Sequence, residues 1–539
     1  MTEGDLLRRL EQLNAIGVAL SKEQNITNLL ESILLAAKAI TQADGGTLYR
    51  MNPERTALRF EILRTDSLNF AMGGSSGRPI HFPEIPLQQA DGTPNDSHVA
   101  AYAAIHARTV NIASAYTEGD FDFSGTRTFD QKTGYCSESF LTVPMKDHEG
   151  DVIGVLQLIN AQRSSDGAVV PFSLADQNLA ESLASQAAIA ITNRHLIGQL
   201  EGLFESFIKV LNLALDEKSP HTGGHCQRVP ALTMMLAEAV CLHQEGVLAG
   251  FHMTDRDRYE LKIASLLHDC GKVTTPVHVV DKATKLQTLF DRIALIDTRF
   301  EVQKRDAEIA MLRAQLALRD VHNPQAEADL QAECQRQQTA MDADRDFLRV
   351  VNRGAESMKD ADLQRVRTIS EKSNVLTDDE LENLLIRAGT LNTKEREIIN
   401  HHIVATIKML EQLPWPKHLK NVPEYAGGHH ERMDGKGYPK GLTRDQMSIP
   451  ARIMGIADIF EALTARDRPY KQGMTLSQAM GIMQKFSANG HIDPDIFAVF
   501  VQEKVYLRYA QEFLEPWQID DLHAINPLDT LNAVGKPQT

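Results

Sequence analysis

Leu266-Leu267-His268-Asp269-Cys270-Gly271-Lys272 is the stretch around which the chain is organised. A mostly apolar run, Ile263 to Leu267, leads straight into adjacent histidine and aspartate, then a glycine and a lysine. On a continuous helix, neighbouring side chains diverge by about 100°, so His268 and Asp269 alone do not enclose an ion. A metal site built on them needs ligands from distant segments. The sequence supplies candidates: His225, in His221-Thr222-Gly223-Gly224-His225, and downstream His401-His402, His429-His430-Glu431 and Asp458 in an apolar helical run. A carboxylate such as Asp269 can give one oxygen to each of two ions while imidazoles fill the outer positions, the donor set of a dinuclear hydrolytic centre. A lone His-Asp pair is more often a surface pair or a satisfied core histidine. The accumulation of these groups, with Asp434-Gly435-Lys436-Gly437-Tyr438-Pro439 close behind His429-His430-Glu431, favours metal.

From Glu217 to about Tyr470 these segments, in this order, resemble the HD-GYP family of bacterial metal-dependent phosphohydrolases, which cleave the cyclic dinucleotide c-di-GMP. The resemblance implies that His225, His268, Asp269 and Asp458 hold one ion, and that His402, His429, His430 and the bridging Asp269 hold the other. Alignment on Leu391 selects His402 over His401. Imidazole with carboxylate suits iron or manganese, and zinc is also compatible. Some family members hold a third ion through a glutamate four residues before the first histidine; here that position is His221, so two divalent ions are expected. Lys272 and Asp269 are the expected catalytic groups, with Lys272 placed to neutralise phosphate or protonate the leaving oxygen. Gly437, Tyr438 and Pro439 would shape a substrate loop, and Arg468 and Lys471 would grip phosphates. Glu431 and Arg452 are candidates for orienting ligands from behind. The implied reaction is two-metal hydrolysis of c-di-GMP to linear pGpG, with GMP as a further product. The alternatives are an HD-type hydrolase of another nucleotide, such as 3′,3′-cGAMP, and a non-catalytic cyclic-dinucleotide-binding scaffold; all seven ligand positions are intact, which argues against the scaffold.

Composition sets bounds. The 539 residues suffice for two or three domains. A net charge of −16, from 72 acidic and 56 basic residues, excludes a general DNA binder or anionic-membrane binder, while metal ions can still invert the field inside one cleft. Cys136, Cys226, Cys241, Cys270 and Cys334 form no CxxC pair and read as reduced thiols. No apolar run is long enough to span a bilayer, and Met1-Thr2-Glu3-Gly4-Asp5 is not a signal peptide. A cytoplasmic protein is expected.

The expected fold is multidomain: an α+β domain of antiparallel sheet and helices, joined by a long helix to an all-α domain with an inserted helical hairpin. The segments are an N-terminal helix (1–24), a sensor domain (25–196), a connecting helix (173–215), a catalytic domain (216–514, with an insertion at 290–382) and a tail (515–539), of which Leu528 to Thr539 is predicted to be unstructured. Gly46 to Met51, Ala57 to Leu63, Phe140 to Lys146 and Val152 to Asn160 alternate as strands. Gly45-Gly46-Thr47-Leu48-Tyr49, Phe140-Leu141-Thr142-Val143-Pro144-Met145 and Gly154 to Asn160 resemble a GAF domain, a sensory fold that binds small molecules. Asn160, Phe172 and Asp176 match part of a pattern in cyclic-nucleotide-binding members, so they are the candidate ligand site, with a structural role equally open. No Cys-His pattern suggests haem.

Leu179, Leu183, Gln186, Ala190, Asn193, Ile197, Leu200, Phe204, Phe207 and Leu211 alternate spacings of three and four, which reads as the seam of a parallel homodimer. The insertion is rich in Arg, Gln, Glu, Asp and Ala. Ile293 to Arg319 and Gln325 to Val351 read as two polar helices broken at His322-Asn323-Pro324.

Overall fold

The structure is a computed structural model. It describes residues 3–23, 25–163, 165–219, 224–318, 323–354, 357–466 and 473–520. The chain divides into two compact units, Met1–Phe204 and Glu205–Thr539.

The first unit opens with helices α1 (Glu3–Lys22) and α2 (Ile26–Thr41). The Asn25 side chain caps α2 by accepting from the Thr27 and Asn28 amides. Strands β1 (Ala43–Met51), β2 (Ala57–Thr65), β3 (Phe70–Gly73) and β4 (Ile85–Pro86) follow, then α3 (Val99–His106), β5 (Val110–Ile112), α4 (Ser124–Thr133), β6 (Phe140–Lys146), β7 (Val152–Gln162) and β8 (Val169–Val170). They form one antiparallel sheet ordered β3-β2-β1-β7-β6-β5, with β4 on β2 and β8 on β7.

Period-two alternation sorts the sheet's faces. Leu48, Ile62, Leu141, Val143, Met145, Leu156 and Leu158 bury with Ile33, Leu34 and Ile40 of α2 and Leu13 and Leu20 of α1. Tyr49, Leu58 and Val155 point the other way and pack on Ala100, Ala101, Ala103 and Ala104 around α3. The first helix is therefore part of this core and not a separate segment. The Gly- and Ser-rich stretch after Met72 contributes a 3-10 turn (Gly74–Ser76), β4, α3, β5 and α4, and Val99, Ile112, Phe123 and Phe140 form a small core of their own there.

Helix α5 (Leu174–Lys218) corrects the heptad reading. Leu179, Leu183, Ala184, Ala187 and Ala188 are buried in the core of the first unit, so the seam's first half packs on its own domain. Leu196, Ile197, Leu200, Leu203, Phe207 and Val210 are exposed.

The second unit is helical: α6 (His225–Leu242), α7 (Asp255–Leu267), α8 (Val277–Val280), α9 (Ile293–Ala317), α10 (Pro324–Asn352), α11 (Asp360–Ser373), α12 (Asp378–Leu384), α13 (Thr393–Glu411), α14 (Val422–Gly427), α15 (Ile449–Thr464), α16 (Leu476–Ala488), α17 (Pro494–Gln502) and α18 (Val505–Phe513). In the inserted arm, Asp297 pairs with Arg349, Glu301 with Arg345 and Lys304 with Asp342. The partners rise along α9 as they fall along α10, so the hairpin is antiparallel. Its base is larger than two polar helices: Ile296, Phe300, Leu348 and Val351 bury with Val366 and Ile369 of α11 and Leu384 of α12. Among the described residues, no helix is long and apolar enough to cross a membrane.

Candidate metal centre

Helix α7 starts with a capping box between Thr254 and Asp257 and buries Leu261, Ile263, Ala264 and Leu267. It stops at Leu267. His268 is its C-cap, and Asp269, at φ −106° and ψ 9°, begins a tight turn over Cys270–Thr274. The pair therefore does not sit on one continuous helix. The break swings both side chains inward, and Asp269 Oδ2 lies 3.4 Å from His268 Nε2. Lys272 sits on the same turn with Nζ 2.5 Å from Asp269 Oδ2.

Gly271 admits the next ligand. A Cβ there would fall 2.0 Å from the His402 carbonyl oxygen and 2.5 Å from the Thr406 amide nitrogen, so only glycine lets α13 come this close. The Gly271 amide donates to Thr406 Oγ1 at 3.0 Å, which fixes the approach. Asn392 and Glu395 cap α13 reciprocally, and Lys282 binds Glu395 at 2.7 Å. Facing this turn, α13 buries His402, while His401 is exposed. Helix α14 packs on α13 and delivers His429 and His430 just past its end. Helix α15 contributes Asp458, and the first residue of α6 is His225.

All seven candidate ligands thus converge. Two triads form, His402 with His429 and His430, and His225 with His268 and Asp269, each offering donor atoms within 4.8 Å of one another. Asp269 lies between them: its Oδ1 is 3.3 Å from His402 Nε2 and its Oδ2 is 3.1 Å from His225 Nε2. Asp458 Oδ1 is 3.3 Å from His225 Nε2 and 3.8 Å from His268 Nε2.

The donor atoms fit metal ions. Asp269 Oδ1, His402 Nε2 and His429 Nε2 are buried without a hydrogen-bond partner, and orphaned buried polar atoms at one point call for an explanation such as an ion. His268, His402 and His429 each donate from Nδ1 to the carbonyl three residues back, at 2.7, 2.5 and 2.6 Å. A carbonyl only accepts, so the proton is fixed on Nδ1 and Nε2 presents a bare lone pair.

Electrostatics agree. Burial pushes His429 well below the ordinary imidazole range, helped by repulsion from His430 and His268, and pushes His430 down to about 4. Both are neutral, as ligands must be. Burial opposes ionisation of Asp269, but Lys272, His268 and His225 outweigh it and hold the carboxyl well below its usual range. Burial likewise opposes charge on Lys272, and Asp269 and Asp458 overcome it, so the ammonium keeps its proton.

The loop after His430 is held by a carboxylate. Glu431 is buried and accepts from the Lys440 and Leu442 amides at 2.7 and 2.8 Å. Gly437 passes so close that a Cβ would meet Glu431 Cα at 2.5 Å. Tyr438 stacks on His430 with ring centroids 4.9 Å apart, and Pro439 follows it. Glu431 therefore braces the Gly437-Tyr438-Pro439 loop and not a ligand. Arg452 also differs from expectation: its Nη1 binds Asp493 Oδ2 at 2.5 Å. His221, Arg468 and Lys471 lie outside the described residues.

The candidate ligand residues of the first unit make local structural contacts. Asn160, at φ 58°, accepts from the Glu138 and Ser139 amides and donates to the Cys136 carbonyl, pinning the loop before β6. Phe172 is core. Asp176 accepts from Ser173 and pairs with Arg9 at 2.7 Å. None of the three lines the unit's large cavity, about 570 Å³, whose walls include Tyr49, Phe60, His98, Phe123, Tyr135 and Gln157. Cys136 is exposed beside it, between lining residues Tyr135 and Ser137.

Sequence reading missed Glu461. It lies one turn beyond Asp458 on α15, with Oε2 at 2.5 Å from His225 Nδ1 and Oε1 at 2.7 Å from Arg228. The signal was its spacing of three from Asp458, which puts both on one helical face.

An α+β unit of antiparallel sheet followed by a helical unit with a clustered His/Asp site is the class that fold and geometry define. Residues 25–191 match the family model described as GAF domain, and residues 333–496 the one described as HD domain, so the chain carries both domains. The HD match includes His402, His429, His430 and Asp458, and starts beyond His225, His268 and Asp269. The chain is similar to a 3′3′-cGAMP-specific phosphodiesterase of Vibrio cholerae, 40% identical over 121 residues, which is 22% of this chain and 27% of that one. A second such phosphodiesterase of Vibrio cholerae is 37% identical over 115 residues, 21% of this chain and 24% of the relative. A cyclic di-GMP phosphodiesterase of Pseudomonas aeruginosa is 36% identical over 119 residues, 22% of this chain and 28% of the relative. The chain spans less than a third of the length of each of these relatives.

Proposed function

We propose that the second unit is a two-metal phosphodiesterase that hydrolyses c-di-GMP to linear pGpG, with GMP as a further product. One observation carries this reading: Asp269 turns one oxygen toward His402 and the other toward His225, in two histidine-rich triads, and its Oδ1 and the Nε2 atoms of His402 and His429 are buried and unpartnered. His225, His268, Asp269 and Asp458 would hold one divalent ion, and His402, His429, His430 and Asp269 the other. The imidazole and carboxylate donors suit iron or manganese. Bound there, the two ions would supply positive charge for the phosphoryl oxygens and a water acidified toward neutrality.

The chain's own residues do the rest. Lys272 keeps its proton at Nζ and stands beside the bridging carboxylate, where it can neutralise a phosphoryl oxygen or protonate the departing one. Tyr438, stacked on His430, offers an aromatic face beside the site. Gly437 and Pro439 shape the loop that carries it. Arg468 and Lys471 are the candidates to hold phosphates.

The names of two similar proteins favour 3′,3′-cGAMP as a second substrate reading. Both are tested by purifying the chain anaerobically with iron or manganese and supplying each dinucleotide. Linear product from c-di-GMP, abolished by His268→Ala with Asp269→Ala, is expected. Product only from 3′,3′-cGAMP selects the second reading, and tight binding without turnover selects a signalling scaffold.

The proposal extends to regulation. A small molecule would bind the first unit's cavity, whose lining contains no lysine or arginine among the described residues, so a phosphate there would lack a cationic partner. The exposed Leu196, Ile197, Leu200, Leu203 and Phe207 on α5 support a homodimer paired through that helix.

A further inference from the structure

His225 differs from three of the other candidate ligand histidines. His268, His402 and His429 find their Nδ1 acceptor in the helical carbonyl three residues back. His225 is the first residue of α6, so no preceding turn of that helix stands behind it. Its Nδ1 meets a carboxylate instead, Glu461 Oε2 at 2.5 Å. Glu461 is 1% exposed, and its other oxygen accepts from Arg228 Nε at 2.7 Å.

We infer that Glu461 is a positioning residue that fixes the ring orientation and tautomer of His225 for metal binding, with Arg228 holding Glu461. The inference rests on the two-metal reading of this site. His225 Nε2 lies 3.1 Å from Asp269 Oδ2 and 3.3 Å from Asp458 Oδ1. In the neutral ring that binds an ion, two carboxylates so close would otherwise draw the single proton onto Nε2, where it blocks ligation. A third carboxylate at Nδ1 takes that proton and leaves the Nε2 lone pair for the ion. An ionised acceptor also makes the imidazole a stronger donor than a neutral carbonyl does. Helix α15 thus supplies a ligand, Asp458, and one turn later the group that orients its neighbour.

The test is manganese titration of the full chain, read by calorimetry and elemental analysis, for the wild type, Glu461→Gln, His225→Ala and the double variant. A glutamine cannot accept from both His225 and Arg228, so Glu461→Gln should weaken one of the two ions by about 10- to 100-fold and change the other far less. In the His225→Ala background the same change should add little. Unchanged affinity in Glu461→Gln overturns the inference, and so does an equal loss with and without His225, which would mark a general structural role. If Glu461→Gln does not fold, Glu461→Asp keeps the charge beside Arg228 but withdraws the carboxylate by about 1.5 Å. It should show the same selective loss, and wild-type affinity would overturn the inference. A wild-type protein that binds no ions overturns the two-metal reading itself.

Discussion

Replacing Gly271 by alanine perturbs the tightest approach in the centre. The new Cβ would sit 2.0 Å from the His402 carbonyl oxygen, 2.5 Å from the Thr406 amide nitrogen and 2.6 Å from Thr406 Oγ1. Two of the three are backbone atoms of α13 and cannot rotate aside. Restoring an ordinary contact of about 3.4 Å requires the turn and the helix to part by about 1.4 Å. Overpacking of this kind costs about 1–3 kcal/mol, and the bond from the Gly271 amide to Thr406 adds about 1 kcal/mol when lost. A destabilisation of about 2–4 kcal/mol follows. The consequence for the site is sharper, because metal–ligand distances hold to within about 0.2 Å. A helix displaced several times that far would take His402 away from the ion it is proposed to share with Asp269. Urea unfolding of the metal-free protein should show the loss of stability, and elemental analysis should show one ion lost. Stability within about 0.5 kcal/mol of wild type together with two retained ions would refute the reasoning.

Lys272→Met should lower turnover by about 10²- to 10⁴-fold with both ions retained, because the ammonium touches Asp269 Oδ2 and competes with an ion for it; parallel kinetics and metal analysis check this. Glu431→Ala strips the acceptor from the Lys440 and Leu442 amides, so KM should rise several-fold through a loosened loop while metal content stays constant, as steady-state kinetics will show. Burial holds folded His430 at about 4, well below the ordinary 6.5. Between those values the unfolded chain binds more protons than the folded one, so this part of the metal-free protein's stability is complete above about pH 6.5 and declines as pH falls toward 4. Thermal unfolding from pH 4.5 to 7 should show that slope, and His430→Asn should flatten it. His225, held high by Glu461 against the opposing effect of burial, contributes in a separate window: its stabilisation is present below about 6.5 and is lost as pH rises through its folded pKa.

The strands were legible because one-sided burial forces period-two alternation: Leu48 and Leu156 face the helices while Tyr49 and Val155 face α3. The candidate ligands were legible because histidine and aspartate are costly in apolar runs without a purpose. What the sequence hid was direction. His268 and Asp269 read as diverging neighbours on one helix, and only the stop at Leu267 aims both inward. Helical spacing alone cannot say what a seam meets, so Leu179 and Leu183 read as a dimer surface and are core. Asn160, Phe172 and Asp176 matched a pattern whose side chains serve local hydrogen bonding and packing here. Glu461 looked like an ordinary carboxylate and Glu431 like one that orients a ligand, since their partners, a histidine 236 positions away and the amides of a loop, are set by tertiary structure.

Diffraction at the absorption edge of iron or manganese, from crystals of metal-loaded protein, tests the central claim most directly. Two anomalous peaks about 3.5–4 Å apart, one beside His402, His429 and His430 and the other beside His225, His268 and Asp458, with Asp269 between them, are predicted. A single peak, or peaks away from Asp269, would contradict a dinuclear centre bridged by that carboxylate.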